Sequence, residues 1–169
     1  MKRLLIIYIL TLTLILLITA CRKEEPQNFS EGQVNFVAVD KVPIIKGILN
    51  GKKAYFIVDS GASISVLDKA QVKDYNFSVG DPMEINVSGY GGESSPNEAS
   101  NINVMVGGVD FNGTYRTQDI TNVVSTIKTA SGVKIAGIIG SNIMKDKGVI
   151  IDYSTNSLYI KDFVTIQSR

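Results

Sequence analysis

The chain has 169 residues, with 17 basic and 16 acidic side chains, a formal net charge of +1, one cysteine and no histidine. The lack of histidine excludes Ser-His-Asp and Cys-His catalysis and any zinc site that uses histidine. The basic residues are scattered, which predicts no nucleic-acid partner and leaves carboxylates, hydroxyls and backbone for chemistry.

The N-terminal segment is typical of an export signal. Met1-Lys2-Arg3 is basic, residues 4–17 are almost wholly apolar, and Ile18-Thr19-Ala20 places small residues before Cys21. The tetrapeptide Ile18-Thr19-Ala20-Cys21 resembles a bacterial lipobox, in which cleavage before the cysteine is followed by its lipidation. Since Cys21 is the only cysteine, it cannot form an internal disulfide. An uncleaved signal anchor with an incidental thiol is the alternative.

These features predict three segments and a location. Residues 1–20 form a lipoprotein signal peptide, residues 21–32 a flexible polar tether that contains Pro26, and residues 33–169 a single domain. Lipid on Cys21 would anchor the protein to a membrane of the bacterial cell envelope, at its periplasmic face or at the cell surface.

The pattern from Val34 onward predicts β structure. Val34, Phe36 and Ala38 place apolar residues at every second position, and a second apolar run extends from residue 44 to residue 49. Asn50-Gly51 is a strong hairpin signal. A strand over residues 54–58 follows it.

The remaining elements are short. Asp68 is suited to cap a brief helix over residues 69–75. Ser141 is suited to begin a second helix, and Gly148 to follow its end. Strands are predicted over residues 64–67, 83–87, 102–106, 109–117, 135–139 and 149–153, with a polar connection over residues 120–132. Short strands with frequent turns predict an all-β domain, either a closed barrel or a folded sheet, with one or two short helices.

The residues after the strand at 54–58 are the main functional signal. An apolar run stops at Asp59, which is followed by Ser60, Gly61 and Ala62. A carboxylate at the end of a buried strand is costly unless it is paired, and the next two residues supply a hydroxyl and a closely approaching backbone. For an isolated Asp-Ser-Gly, a structural Asx turn is the ordinary interpretation.

The sequence resembles the retropepsin-like aspartic proteases, in particular bacterial single-domain members, over roughly residues 42–160. Four features carry the resemblance: the Asp59-Ser60-Gly61-Ala62 turn, a glycine-rich hairpin tip at residues 89–92, the Ile138-Ile139-Gly140 segment before a helix, and the strand Ile150-Ile151-Asp152-Tyr153. The resemblance implies a retropepsin-like fold and proteolytic activity that needs no metal ion and no organic cofactor.

The resemblance also implies a role for each residue of the site. Asp59 is catalytic, and Ser60, Gly61 and Ala62 complete the active-site turn. Ser60 braces the two such turns of the active site, and Ile139-Gly140 packs beneath them. Tyr90, Gly91 and Gly92 form a flap that contacts the substrate. Ser60 departs from the more usual threonine.

The reaction implied by this family requires two carboxylates, and the chain has one Asp-Ser-Gly and no internal repeat. One carboxylate activates water while the other, protonated, donates to the scissile carbonyl. Asp59 must therefore meet the same residue of a second chain, which a two-fold homodimer provides. The sequence thus predicts a lipid-anchored endopeptidase that acts on peptides or proteins. The alternative is a catalytically inactive peptide-binding lipoprotein of the same fold.

Overall fold

The structure, a computed structural model, describes residues 32–84, 87–89 and 92–161. The predicted signal peptide, Cys21 and nearly all of the tether lie outside these residues. The helices are a 3₁₀ helix Lys69–Gln71, α1 Val72–Tyr75, α2 Thr121–Ser131 and α3 Ser141–Asp146. The strands are β1 Gln33–Asn35, β2 Val37–Val39, β3 Val42–Leu49, β4 Lys52–Val58, β5 Ser65–Asp68, β6 Ser78–Pro82, β7 Val87–Gly89, β8 Gly92–Ser94, β9 Asn97–Ser100, β10 Val104–Val106, β11 Val109–Asp110, β12 Tyr115–Gln118, β13 Gly137–Ile139, β14 Val149–Asp152 and β15 Ser157–Ile160. None of the helices within the described ranges has the length and apolar character needed to span a membrane.

The strands form one large sheet and two small ones in the described part of the chain. The large sheet has the order β11-β10-β3-β4-β13-β5-β12-β9-β6, and β2 pairs with β3 beside it. A three-stranded sheet has the order β1-β15-β14, and β7 pairs with β8 alone. The mainly β architecture confirms the predicted fold class, but the large sheet is open rather than closed into a barrel.

Strand β4 is central because both of its faces are buried. It pairs antiparallel with β3 and parallel with β13. Successive side chains of a strand point to opposite faces, so Phe56 and Val58 enter one apolar cluster while Ile57 enters another. Burial on both faces explains why the strand appears in the sequence as a continuous apolar run rather than an alternating one.

Several local predictions are confirmed. Asn50 and Gly51 have φ angles of 48° and 78°, as a two-residue hairpin turn of type I′ requires. Asp68 accepts a hydrogen bond from the backbone N–H of Ala70 at 3.1 Å, which caps the 3₁₀ helix before α1. Gly148 has a φ of 60° and follows the end of α3.

Helix α2 corrects the prediction of a polar connection over residues 120–132. β-Branched side chains lower helix propensity, and this segment contains many of them. The helix forms because Val124 and Ile127, which are three residues apart, are buried against the sheet. Asp119 accepts hydrogen bonds from the Thr121 side chain and, at 2.9 Å, from the Thr121 N–H, and these bonds hold the pKa of Asp119 below its usual range.

Three strand or helix boundaries were also wrong. Met83 and Glu84 lie after β6 rather than in a strand, and residues 85–86 lie outside the described ranges. The predicted strand 109–117 is two strands, because the Asp110 carboxylate accepts the Asn112 N–H in a turn between them. Ser141 is the first residue of α3, and the cap is Gly140, which has extended backbone and gives no side-chain bond.

The side chain of Asn50 connects the β3–β4 turn to two other segments. Its Nδ2 donates to the carbonyls of Tyr75 at 3.0 Å and Asn101 at 2.7 Å. Its Oδ1 accepts from the Asn103 N–H at 2.7 Å. Asn50 therefore joins the end of α1 and the approach to β10 to the hairpin that precedes Asp59.

We predict that Asn50→Gly keeps the turn but loses these bonds. Glycine accepts positive φ, so the expected loss of about 1–3 kcal/mol in the free energy of unfolding, beyond the entropic cost that any Asn→Gly change carries, reports the side-chain hydrogen bonds. Denaturant unfolding measures it. Asn156→Gly is the matched control, because Asn156 has a φ of 51° and forms no side-chain hydrogen bond within the described ranges. Equal effects of the two substitutions would contradict the linking role of Asn50.

Candidate active site

The turn after β4 holds Asp59 in a fixed geometry at the protein surface. The Gly61 N–H donates to Asp59 Oδ1 at 2.8 Å, and the Ala62 N–H donates to the Asp59 carbonyl at 3.2 Å. The side chains of Asp59 and Ser60 are exposed, while Ala62 is half-buried. The carboxylate is thus oriented by backbone and remains accessible to solvent.

The segment Ile139-Gly140 lies directly beside this turn. Strands β4 and β13 run parallel and pair Val58 with Ile139, so both end at the same edge of the sheet. The Asp59 N–H donates to the Ile139 carbonyl at 3.0 Å, and the Ser141 N–H donates to the Ala62 carbonyl at 2.8 Å. The structure therefore brings the residues predicted as active-site turn and as support into one hydrogen-bonded unit.

Gly140 is in close contact with the backbone of the turn. A Cβ at this position would lie 2.6 Å from the carbonyl oxygen of Ile64 and 2.8 Å from that of Ala62. These distances are too short for any side chain. The close approach, rather than an unusual φ, requires glycine here, since the φ of Gly140 is −93°.

A buried polar network that the sequence analysis missed supports the unit from below. Ser65 is fully buried, accepts a hydrogen bond from the Gly140 N–H at 2.9 Å and donates to Asn142 Oδ1 at 2.8 Å. Asn142 Nδ2 in turn donates to the Thr114 carbonyl at 2.8 Å. The sequence did offer a signal for this network, namely the serine inside the predicted apolar strand 64–67. A hydroxyl in a buried strand requires a hydrogen-bond partner.

Asp59 and Ser60 line an open cleft of about 440 Å³. The apolar part of its wall includes Ile57, Ile138 and, from helix α2, Ile127. Ile151 of β14 and the exposed Tyr153 that follows this strand also line the cleft. An apolar cleft with a few polar groups at one edge is the usual form of a binding site for organic ligands.

Two other carboxylates near the site differ from Asp59. Asp152 serves local structure, and Asp40 lacks a turn like the one that holds Asp59. Asp40 also lines the cleft, in a turn where it has a φ of 49°. The Asp152 carboxylate accepts hydrogen bonds from Ser154 and Thr155, which hold the pKa of Asp152 below its usual range. The described residues contain no cluster of three or more Asp, Glu, His or Cys that could hold a metal ion.

The predicted flap is only partly described. Strands β7 and β8 form a hairpin in which Gly89 pairs with Gly92. Tyr90 and Gly91 lie outside the described residues, as does Cys21. The roles assigned to these residues stay predictions, as do those of the turn.

We predict that Gly140→Ala destabilises the protein through the contacts beneath Asp59. The added methyl group must displace backbone, which costs about 1–3 kcal/mol of unfolding free energy, as overpacking typically does. Denaturant unfolding tests this. Ser63→Ala, at an exposed position in the same loop, should change the unfolding free energy by less than about 0.5 kcal/mol. A Gly140→Ala protein as stable as this control would contradict the close packing.

Comparison with known proteins identifies the family. A family profile described as aspartyl protease matches residues 45–143, a range that contains Asp59 and Gly140. No curated protein matches the sequence. Among solved structures, the chain is similar to EIAV protease complexed with the inhibitor HBY-793, with 18% identity over 66% of this chain and 93% of that chain and a TM-score of 0.47. It is also similar to a retropepsin-like aspartic protease from Rickettsia conorii, with 19% identity over 76% of this chain and 87% of that chain and a TM-score of 0.48. Because the family profile spans more than half of the sequence, this chain belongs to the aspartyl protease family.

Proposed function

We propose that this protein is an aspartic endopeptidase whose active site forms from the Asp59 residues of two identical chains. The observation that carries the proposal is the exposed Asp59 carboxylate, which is held by the Gly61 N–H and lines a largely apolar cleft. Its exposed position suits a group that must meet both a substrate and a second carboxylate.

A second chain is needed because the described residues of the cleft supply no second carboxylate that is held as Asp59 is. Asp40 is the other acid of the cleft, and it is not oriented by a backbone N–H as Asp59 is. The exposed Ser60 hydroxyl makes no hydrogen bond within the described part of the chain, so it is available to a partner. A two-fold axis beside this turn would place two copies of Asp59 and Ser60 together.

The proposed reaction needs one proton shared between the two carboxylates. Two acids a few ångströms apart cannot both ionise readily, a coupling for which aspartic proteases are the standard example. The ionised Asp59 takes a proton from water, and the oxygen of that water attacks the scissile carbonyl carbon. The protonated Asp59 of the partner donates its proton to the carbonyl oxygen. Collapse of the tetrahedral intermediate, with proton transfer to the leaving nitrogen, releases the two peptides.

We further propose that the mature protein begins at Cys21 and is held by lipid at a membrane of the bacterial cell envelope. The support is the basic start, the apolar run and the lipobox-like Ile18-Thr19-Ala20-Cys21. Anchoring both copies to one surface raises their effective concentration and favours the dimer.

We predict that Asp59→Asn lowers peptide hydrolysis by about 100- to 10,000-fold, because the amide cannot act as a base. Hydrolysis of a mixed peptide pool by the purified chain measures this. Asp40→Asn is the matched control in the same cleft and should leave the rate nearly unchanged. An active Asp59→Asn enzyme would remove this residue from the chemistry, and an inactive wild type would favour the peptide-binding alternative.

Mixing the two chains tests the shared site separately. Adding an equal amount of the Asp59→Asn chain should lower the activity per wild-type chain to about half. The reason is that half of the wild-type chains then pair with a variant chain. Exchange of labelled subunits must be verified in the same samples. Activity that stays constant while subunits exchange would show that one chain holds a complete site.

We predict that Cys21→Ser yields an uncleaved or mislocalised precursor, since no other cysteine can take the lipid. The measurements are N-terminal sequencing and membrane fractionation of expressing cells. Ser30→Ala, in the predicted tether, is a control that should be processed normally. A Cys21→Ser protein that is cleaved at residue 21 and still fractionates with membranes would contradict lipid anchoring.

A further inference from the structure

A second cleft, of about 530 Å³, lies along helix α2 and shares no lining residue with the cleft at Asp59. Val124, Ser125 and Lys128 of α2 line the second cleft. Val123 and Ile127 line the first. The helix therefore separates the two clefts, and the second one plays no part in the function proposed above.

An unpaired buried acceptor belongs to the wall of the second cleft. Gln71 is 1% exposed and lines the cleft. Its Nε2 donates to Asp68 Oδ2 at 2.9 Å and to the Ile135 carbonyl, which fixes the amide orientation. Its Oε1 is buried and has no hydrogen-bond partner among the described residues. A buried unpaired acceptor is unfavourable, so a ligand that donates a hydrogen bond would be stabilised here.

Asp68, which is hydrogen-bonded to Gln71, adds further hydrogen-bond acceptors to the wall of the cleft. Asp68 is 5% exposed and also lines the cleft. It accepts from the Ala70 N–H at 3.1 Å and from Gln71, whereas an ionised carboxylate has about four acceptor positions. A donor that carries positive charge, such as an ammonium group, fits both Gln71 and Asp68.

Two lysines, Lys128 and Lys134, also line the cleft and carry positive charge. Lys134 forms an ion pair with Asp74, and that hydrogen bond and charge hold the pKa of Asp74 below its usual range. Lys128 is exposed and forms no ion pair within the described residues. Val124 and Ile135 supply apolar surface to the same cleft. The charge distribution suits a ligand with an anionic group and an apolar body.

We propose that this cleft binds a small apolar zwitterion of the α-amino-acid class. The ammonium group donates to Gln71 Oε1 and Asp68, the apolar side chain packs on Val124 and Ile135, and the carboxylate meets Lys128. The volume is within the range of about 300–1,000 Å³ that small-molecule sites occupy.

The absence of tryptophan makes a selective test available. Thr129→Trp places a single fluorophore at the second cleft, and Thr126→Trp places one on the same helix at the cleft of Asp59. L-Leucine is titrated into each full-chain variant in detergent. We expect a saturable emission change for Thr129→Trp and none for Thr126→Trp. Calorimetric titration of the unmodified chain with L-leucine provides the same affinity without a substitution.

Leucine analogues and a lysine variant test the two charges. 4-Methylpentanoate lacks the amino group and should bind at least about tenfold more weakly, since the buried acceptor stays unpaired. 3-Methylbutylamine lacks the carboxylate and should bind about two- to fivefold more weakly, the effect typical of an exposed ion pair. Lys128→Ala should weaken the binding of leucine by about the same two- to fivefold factor and leave the binding of 3-methylbutylamine unchanged. Lys145→Ala, which changes an exposed lysine of α3, is the control and should have no effect.

Three results would overturn the proposal. They are calorimetry that shows no binding at tens of millimolar leucine, equal responses from the two tryptophan positions, and equal binding of leucine and 4-methylpentanoate. Since none of these measurements uses peptide hydrolysis, they do not depend on whether Asp59 is catalytic.

Discussion

The parallel pairing of β4 with β13 is the constraint on which the candidate active site depends. Parallel strands end at the same edge of a sheet, so this pairing sets the turn that follows Val58 beside the turn that follows Ile139. The hydrogen bond from the Asp59 N–H to the Ile139 carbonyl continues the ladder past the last strand residue. The orientation of the carboxylate is therefore a consequence of sheet register.

Close packing beneath the turn keeps this arrangement rigid. Gly140 permits the backbone contact with Ile64 and Ala62, and Ser65 satisfies the Gly140 N–H in a place that water does not reach. A buried polar network of this kind is stabilising only while all of its members are paired. The exposed Asp59 thus depends on a buried support for its position.

Helix α2 gives the domain two separate clefts. Its residues Val123 and Ile127 face the cleft at Asp59, whereas Val124 and Lys128 face the one that contains Gln71. Because adjacent helical positions point in different directions, a single helix can form a wall for each. Gln71, whose Oε1 has no hydrogen-bond partner among the described residues, lines the second cleft.

Local sequence determined the features that depend on short-range chemistry. The hairpin at Asn50-Gly51, the cap at Asp68, the mainly β composition and the position of Asp59 after a buried strand follow from residue types and periodicity. Only the tertiary structure decided the existence of α2, because its residues have low helix propensity and gain stability from burial against the sheet. The same holds for the neighbours of Gly140 and the partners of Ser65, which lie far apart in sequence and meet only when the strands pair.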